Sequence, residues 1–381
     1  MSKLCITLPP FAPDYSGAAS ALFDMGGLVV IHDASGCTGN YTGFDEPRWF
    51  GSASAVFCSG LRHMDAVLGN DDKLIKQVVK ASESLDPKFI AILGSPVPMV
   101  VGTDYKGIAS EIEVQTGIPS MGIDTRGLSY YGKGIQEAGL AVMKKFIAHN
   151  AAKIPGTVNL LGVTPLDFYI NSNRDDFIRL FEENGMKVTA CYFMGMSVED
   201  LQPSVSASLN VAVSQSGIAI AKYMERRYGI PYITGTPIGD GKNLLEKAQA
   251  ALEGRDLSFV PETGEAAALI AGEQVISNSI REYLQNRLGY GPVCVASLYD
   301  TESKEQAKGD VTVRDEHQLR ELLNSGRYKT VIADPMVRQL IRRDDISFYP
   351  FAHVALSSKL HWEECRRLVG REMEEWLSTI K

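Results

Sequence analysis

The chain has 381 residues, which exceeds what one hydrophobic core organises and sets an expectation of two or three domains. Apolar residues make up 45% and charged residues 22%, so it reads as an ordinary globular chain with no low-complexity tract. A formal net charge of -8 excludes nucleic acid as the expected main partner, because neutralising phosphates takes a basic face. No apolar run has the length needed to span a bilayer, and the first ten residues lack the apolar core of a signal peptide. No membrane association and a cytoplasmic location are therefore expected. In that reducing setting, clustered cysteines point to metal ligation or redox work before structural disulfides.

In chain order, Gly27-Leu-Val-Val-Ile31 reads as a buried parallel strand running into His32-Asp-Ala-Ser-Gly-Cys37-Thr-Gly39. That places the Cys37 thiol on a tight turn at the strand's carboxyl end, where open α/β sheets put their ligand sites. Cys5 precedes this strand and Cys58 follows it, so half of the six cysteines gather around one strand end. Asp71 to Ser84 reads as an amphipathic helix, residues 88–94 as a strand, Tyr105 to Thr116 as a helix, and Gly134 to His149 as a helix closing the unit.

Residues 150–156 have linker composition. Beyond them, residues 157–163 read as a strand, Asn173 to Asn184 as a helix and residues 187–192 as a strand, which makes a βαβ unit. Residues 209–213 read as a strand and Ile218 to Arg227 as a helix, leading through Gly229-Ile-Pro231 to another strand. A third unit is expected to open on one long helix from Glu265 to Leu288, followed by a strand at 292–298, a helix from His317 to Asn324, a strand at 329–333 and a last helix from Leu360 to Leu377. The strand, helix and Gly-Ile-Pro series at 90–119 recurs at 211–231. These repeats predict three Rossmann-like domains, at 1–152, 153–262 and 263–381, each a parallel sheet flanked by helices, around a central cleft.

No Walker loop and no Gly-x-Gly-x-x-Gly follows any strand. The segment Gly235-Thr-Pro-Ile-Gly239-Asp-Gly241 is glycine-rich, but Pro237 lacks an amide donor, so it reads more readily as an ordinary loop than as a phosphate cradle. Electrons for any redox work then come from outside the chain. Thiolates are soft ligands that suit iron-sulfur clusters, and Gly36 and Gly39 beside Cys37 leave room for a cluster to approach the backbone. The alternative for Cys37 is a small residue packing a turn. Cys191, Cys294 and Cys365 lie in or beside apolar stretches and read as core.

With these segments in view, the chain resembles the component 1 superfamily of nitrogenases and nitrogenase-like reductases. The resemblance rests on Cys5, Ser16-Gly-Ala-Ala-Ser-Ala, Val29-Val-Ile-His32-Asp-Ala-Ser-Gly-Cys37, Asp65-Ala-Val-Leu-Gly69-Asn-Asp-Asp-Lys-Leu74 and Ser95-Pro-Val-Pro-Met-Val-Val-Gly102. It continues through Leu209-Asn-Val and Tyr223-Met-Glu-Arg-Arg-Tyr-Gly-Ile-Pro231, and more faintly to Pro350-Phe351. In the family, the segments like those around Cys5, Cys37 and Ser95 each carry a cysteine that ligates an iron-sulfur cluster at a subunit interface. Here Ser95 stands in the third place, and Cys58 is an extra thiol that can substitute for it. Ser214 is the equivalent of a cysteine that holds the catalytic metallocofactor of nitrogenase, which argues against an iron-molybdenum cofactor and dinitrogen reduction.

The resemblance implies a cluster, 4Fe-4S or an eight-iron P-cluster-like group, ligated by Cys5, Cys37 and Cys58, with Gly36 and Ser95 beside it. It further implies a homodimer or heterodimer and an Fe-protein-like ATPase that delivers electrons. The substrate expected in the interdomain cleft is a small molecule, tetrapyrrole-like in the compact relatives. The alternative is a non-catalytic scaffold for cluster or cofactor assembly. Other candidates are His63 at a helix start, Asp124, Arg126 and Tyr131 along a pocket or a surface loop, His353 in the core, at the surface or facing the cleft, and Arg48 with Trp49 at a subunit contact.

Overall fold

A computed structural model describes residues 6–52 and 54–381. Three sheets, parallel in every ladder, succeed one another along the chain. The first holds β1 (Leu28–Ile31), β2 (Ala55–Cys58), β3 (Ile90–Leu93) and β4 (Ser120–Ile123) in the order β2-β1-β3-β4. In the second, β5 (Ile154–Val163), β6 (Lys187–Phe193), β7 (Ala207–Ala212) and β8 (Tyr232–Thr234) take the order β6-β5-β7-β8. The third places β9 (Ala268–Gly272) at its centre, flanked by β10 (Val293–Ser297), β11 (Val311–Thr312), β12 (Thr330–Ala333) and β13 (Ser347–Pro350) in the order β11-β10-β9-β12-β13.

The apolar sequence of β1, Leu28-Val-Val-Ile31, is buried at every position, as a central parallel strand covered on both faces requires. Helices Asp14–Leu22 and Tyr131–Phe146 cross at backbone contact. A Cβ on Gly17 would lie 2.0 Å from the Tyr131 carbonyl oxygen, and one on Gly134 would lie 1.7 Å from that of Asp14. The helix Tyr131–Phe146 also packs against the helix Gln215–Tyr228, so it ties the first sheet to the second. The backbone amides of Ile6, Thr7 and Leu8 all donate to one carboxylate oxygen of Glu316, at 2.8, 2.8 and 3.0 Å, which fixes the start of the described chain on the third unit.

Several expectations change. The long helix expected from Glu265 is instead strand β9 followed by a helix Gln274–Leu288. Ala266-Ala-Ala-Leu-Ile-Ala is a good helix former by composition, and only burial between two neighbouring strands makes it extended. The helix expected from Leu360 to Leu377 is two 3-10 turns and a helix Arg371–Ser378, divided at Gly370 with φ 102°. Arg48 and Trp49 are not an exposed contact. The Arg48 side chain is only 8% exposed and bonds Asp24 at 2.7 Å and Glu46 at 2.7 and 2.8 Å, while Trp49 packs against Phe23 and Tyr41. Among the described residues, no helix is long and apolar enough to cross a membrane.

Candidate metal centre

Register brings the sequence-predicted residues to one place. Ile31 of β1 pairs with Cys58 of β2 and with Leu93 of β3, so three carboxyl ends finish level, and Ser95 follows two residues beyond. The chain leaves β1 through His32 and Asp33. One Asp33 carboxylate oxygen accepts from the amides of Ser35 and Thr38 at 2.9 and 3.1 Å. This closes a tight turn in which Ser35 takes φ 133°, and it sets Cys37 in the first turn of the short helix Gly36–Asn40. The Asp33 carbonyl holds the other side, accepting from the Cys58 thiol at 3.3 Å and from the Ser59 hydroxyl at 3.2 Å. Ser95, fully buried, donates its hydroxyl to the His32 carbonyl at 2.8 Å.

Cys37 and Cys58 are therefore both half-buried around the Asp33 turn. Cys5 lies outside the described residues. The Cys37 thiol faces Tyr15, Asp33 and Ser95; burial, then the Asp33 carboxylate, raise its pKa, while the two hydroxyls oppose the rise. A cation at the thiol reverses this balance, since Asp33 then offsets charge instead of opposing it. The amide of Gly60 donates to the Cys58 sulfur at 3.3 Å. Gly36 and Gly39 adopt no left-handed backbone, and a side chain at either would meet nothing within 4 Å. The chain's own packing thus gives no reason for glycine there, and what glycine leaves is open approach from outside.

Among the described residues no three His, Cys, Asp or Glu side chains form a group that could enclose a metal ion. Two half-buried thiols, with the buried Ser95 hydroxyl behind them, fit an iron-sulfur cluster only as part of its ligand set, with the rest from elsewhere. The surrounding surface has the same incomplete character. The helix His63–Leu68 buries no residue, and Leu68 and Val100, on this helix and on the neighbouring helix Pro96–Val101, are 74% and 79% exposed. Phe57, Met64, Val67, Val97 and Val101 are exposed around them. Such a contiguous apolar surface marks an interaction face. His63, at the start of that helix, is exposed.

A second polar group, which sequence reasoning missed apart from Tyr131 and His353, lies where the three units meet. Asp167 is buried and accepts from Tyr131 at 2.5 Å, Thr164 at 3.0 Å and Ser216 at 3.3 Å. The His353 Nε2 lies 3.4 Å from Asp167 without hydrogen-bond geometry, and Nδ1 meets the Tyr299 hydroxyl at 3.2 Å. Buried Glu273 accepts from the Gln215 and Ile276 amides, and burial, then the Asp167 charge, raise its pKa. Glu273 was hidden because its strand read as helix; Asp167, in Thr164-Pro-Leu-Asp167 just past β5, carried a visible strand-end signal. The cavity beside His353 is about 20 Å³, room for about one water. The cleft expected to take a substrate is thus filled by these side chains in the isolated chain. Ser214, buried two residues beyond β7, spends its hydroxyl on the Gly162 carbonyl at 2.8 Å. Asp124 and Arg126 pair with each other at 2.5 Å on an open groove of about 620 Å³, and Tyr131 points away into the junction.

Asp45, behind the thiol turn, accepts from Ser16 at 2.6 Å and Asn40 at 2.8 Å, and burial pushes its pKa up to about 7. In the unfolded chain this carboxyl ionises near pH 4. The native state keeps its proton as pH rises from about 4 to about 7 while the unfolded state loses it, so stability falls across that window. The shift corresponds to about 4 kcal/mol when fully developed. Asp45→Asn, which mimics the protonated form, should reduce the loss of thermal stability between pH 5 and pH 8; an unchanged loss by calorimetry would refute this placement of the proton.

Comparison with known proteins places the architecture. The sequence model of the family described as Nitrogenase component 1 type Oxidoreductase matches residues 13–244, more than half of the chain. The chain belongs to this family. It is 31% identical over 219 residues to the B subunit of the light-independent protochlorophyllide reductase of Chlorobium luteolum, covering 55% of this chain and 40% of that protein. Against the corresponding protein of Nostoc punctiforme it is 24% identical over 181 residues, covering 45% and 36%. It is 24% identical over 234 residues to the nitrogenase iron-molybdenum cofactor biosynthesis protein NifE of Bradyrhizobium diazoefficiens, covering 59% and 42%. The matches thus span about two fifths of these relatives' lengths. The solved structure of nitrogenase Cp1 at pH 5 superposes with a TM-score of 0.72 over 98% of this chain and 88% of that one, at 17% identity, and shares the fold.

Proposed function

We propose that this chain is a subunit of a nitrogenase-like reductase that holds an iron-sulfur cluster at a subunit interface. The observation that carries the reading is the incomplete thiol site set in an uncovered apolar surface. Cys37 and Cys58 hold the cluster together with Cys5, and a second subunit, identical or similar, supplies the remaining ligands and covers Leu68 and Val100. When bound, the cluster supplies one-electron transfer. The Gly60 amide lies against the Cys58 sulfur and the Tyr15 hydroxyl against that of Cys37, where they favour the thiolate form and tune the potential. Closure of the apolar face excludes water from the site. Electrons come from a separate ATP-dependent Fe-protein-like reductase, because the chain carries no nucleotide-binding loop of its own.

On this reading the Asp167–His353 junction is a polar hub that fixes the three sheets, and the small-molecule substrate is reached across the shared face. The side chain of Ser214, committed to the Gly162 carbonyl, supports a role other than dinitrogen reduction. Similarity to NifE favours a second reading, a scaffold on which a cluster is built and handed on; such a protein releases its cluster to an acceptor, whereas a reductase keeps it through turnover.

A charge in the middle of the apolar face tests the shared site. Val100→Glu should convert a dimer to monomer by sedimentation and lower iron retention severalfold, with the fold intact by circular dichroism. A monomeric wild type that keeps its iron would refute an interface cluster.

A further inference from the structure

A pocket outside the thiol site and the junction lies between the second and third units. It is a cavity of about 450 Å³, within the size range of small-molecule sites. The carboxyl end of β8 opens onto it, the position at which open α/β sheets bind ligands. Its charged groups come from four separate segments. Lys247 lies on the helix Lys242–Leu252, Arg255 on the following loop, Arg281 on the helix Gln274–Leu288, and Lys304 on the 3-10 turn Ser303–Glu305.

Arg281 is the most telling of these. Its side chain is 3% exposed, and it bonds Asp310 at 2.6 Å and Asn278 at 2.8 Å, yet its Nε has no partner. A buried guanidinium N–H left unmade is costly unless something external accepts from it. Lys247 donates to the Thr234 carbonyl at 2.8 Å, and among the described residues neither Lys247 nor Lys304 forms an ion pair. Three carboxylates share the walls: Glu305 accepts from the Thr234 hydroxyl at 2.7 Å, Asp256 accepts from Ser258 at 2.5 Å, and burial raises the pKa of Glu282 against the pull of Lys247. The lining also includes the half-buried rings of Tyr232 and Phe259.

We propose that this cavity is a binding site for a small organic anion carrying an aromatic or heteroaromatic ring, of mononucleotide size. Arg281 and Lys247 take the anionic group and Tyr232 and Phe259 the ring. Because its walls come from both units, the ligand holds the second sheet against the third, and bound ligand raises the unfolding temperature.

The test is calorimetric titration of the full chain with AMP and with phenyl phosphate, using adenosine and inorganic phosphate as halves of the first. Both ring-bearing anions should bind at least about tenfold more tightly than either half. Ala251→Trp, on the wall-forming helix, fills the cavity, and Lys247→Met removes one cation; each should weaken binding about tenfold or more with the melting temperature of the free protein retained. Arg281→Met breaks a buried ion pair and is read only where it folds. Absence of binding by both anions, or binding that Ala251→Trp leaves unchanged, overturns the proposal.

Discussion

Cys37→Ala should strip the protein of nearly all its iron and of its visible absorption while leaving the fold in place. Both halves of this expectation follow from where the residue stands. Cys37 is half-buried on a short helix that rests on the Asp33 turn, and the turn is closed by the Asp33 carboxylate and the Ser35 and Thr38 amides, none of which needs the thiol. Removal of a half-exposed sulfur from such a position costs about 1 kcal/mol or less of stability. Loss of a thiolate from a site that offers two among the described residues removes half of those ligands, and no neighbouring His, Asp or Glu makes up a metal-holding group. Cys191→Ser on β6 is the control, since Cys191 lies away in the second sheet and should leave iron content unchanged. A Cys37→Ala protein with full iron and an unaltered spectrum would show that the cluster is held elsewhere.

Gly134→Val should be the most damaging single substitution to the fold. The helices Asp14–Leu22 and Tyr131–Phe146 pass so close that the Asp14 carbonyl oxygen would lie 1.7 Å from any Cβ at this position. No rotamer relieves a clash with backbone, so the helices must separate. The helix Asp14–Leu22 is buried along its whole length, and separation opens its packing. It also carries Tyr15 against Cys37, Ser16 on Asp45 and Asp14 on the amides of Arg126 and Gly127. The expected loss exceeds about 4 kcal/mol, a large share of a typical domain's total stability. Insoluble protein, or a melting temperature lowered by about 10 °C or more, is the predicted result. A melting temperature within a few degrees of wild type would mean that the helix crossing is wrongly placed.

The first sheet was legible where burial is complete on both faces. Leu28 to Ile31 and the strand ending at Leu93 are continuous apolar runs, and the turns after them announce the site. β2 gave no such signal, because as an edge strand it buries only Val56 fully, and it became recognisable only by its register with β1. β9 was lost to a helical reading because its alanines favour a helix by intrinsic preference, and only burial between β10 and β12 makes them extended. The convergence of Cys37 and Ser95 could be anticipated from the strand ends of β1 and β3, whereas the place of Cys58 followed only from the register of β2. The partnership of Tyr15 with Cys37 could not be anticipated, since nothing local in Asp14-Tyr15-Ser16 indicates that its helix, packed on the distant helix Tyr131–Phe146, comes to rest beside that turn. Arg48 and Trp49 show the opposite error. Their types favour interfaces, but Glu46 and Asp24 neutralise the guanidinium internally, a pairing invisible before the chain is folded. His353 was placed in the core or at the surface in preference to the cleft; the hub with Asp167, Tyr131 and Tyr299 assembles from three units that are far apart in sequence.

The most direct test of the account is the iron and acid-labile sulfide per chain, with an EPR spectrum, of protein produced with adequate cluster supply and purified without oxygen. A shared interface site predicts about two irons and two sulfides per chain for a four-iron cluster across a dimer, or about four for an eight-iron group. Protein that carries no iron under those conditions would leave the three-sheet fold standing and contradict the assignment of Cys37 and Cys58 as cluster ligands.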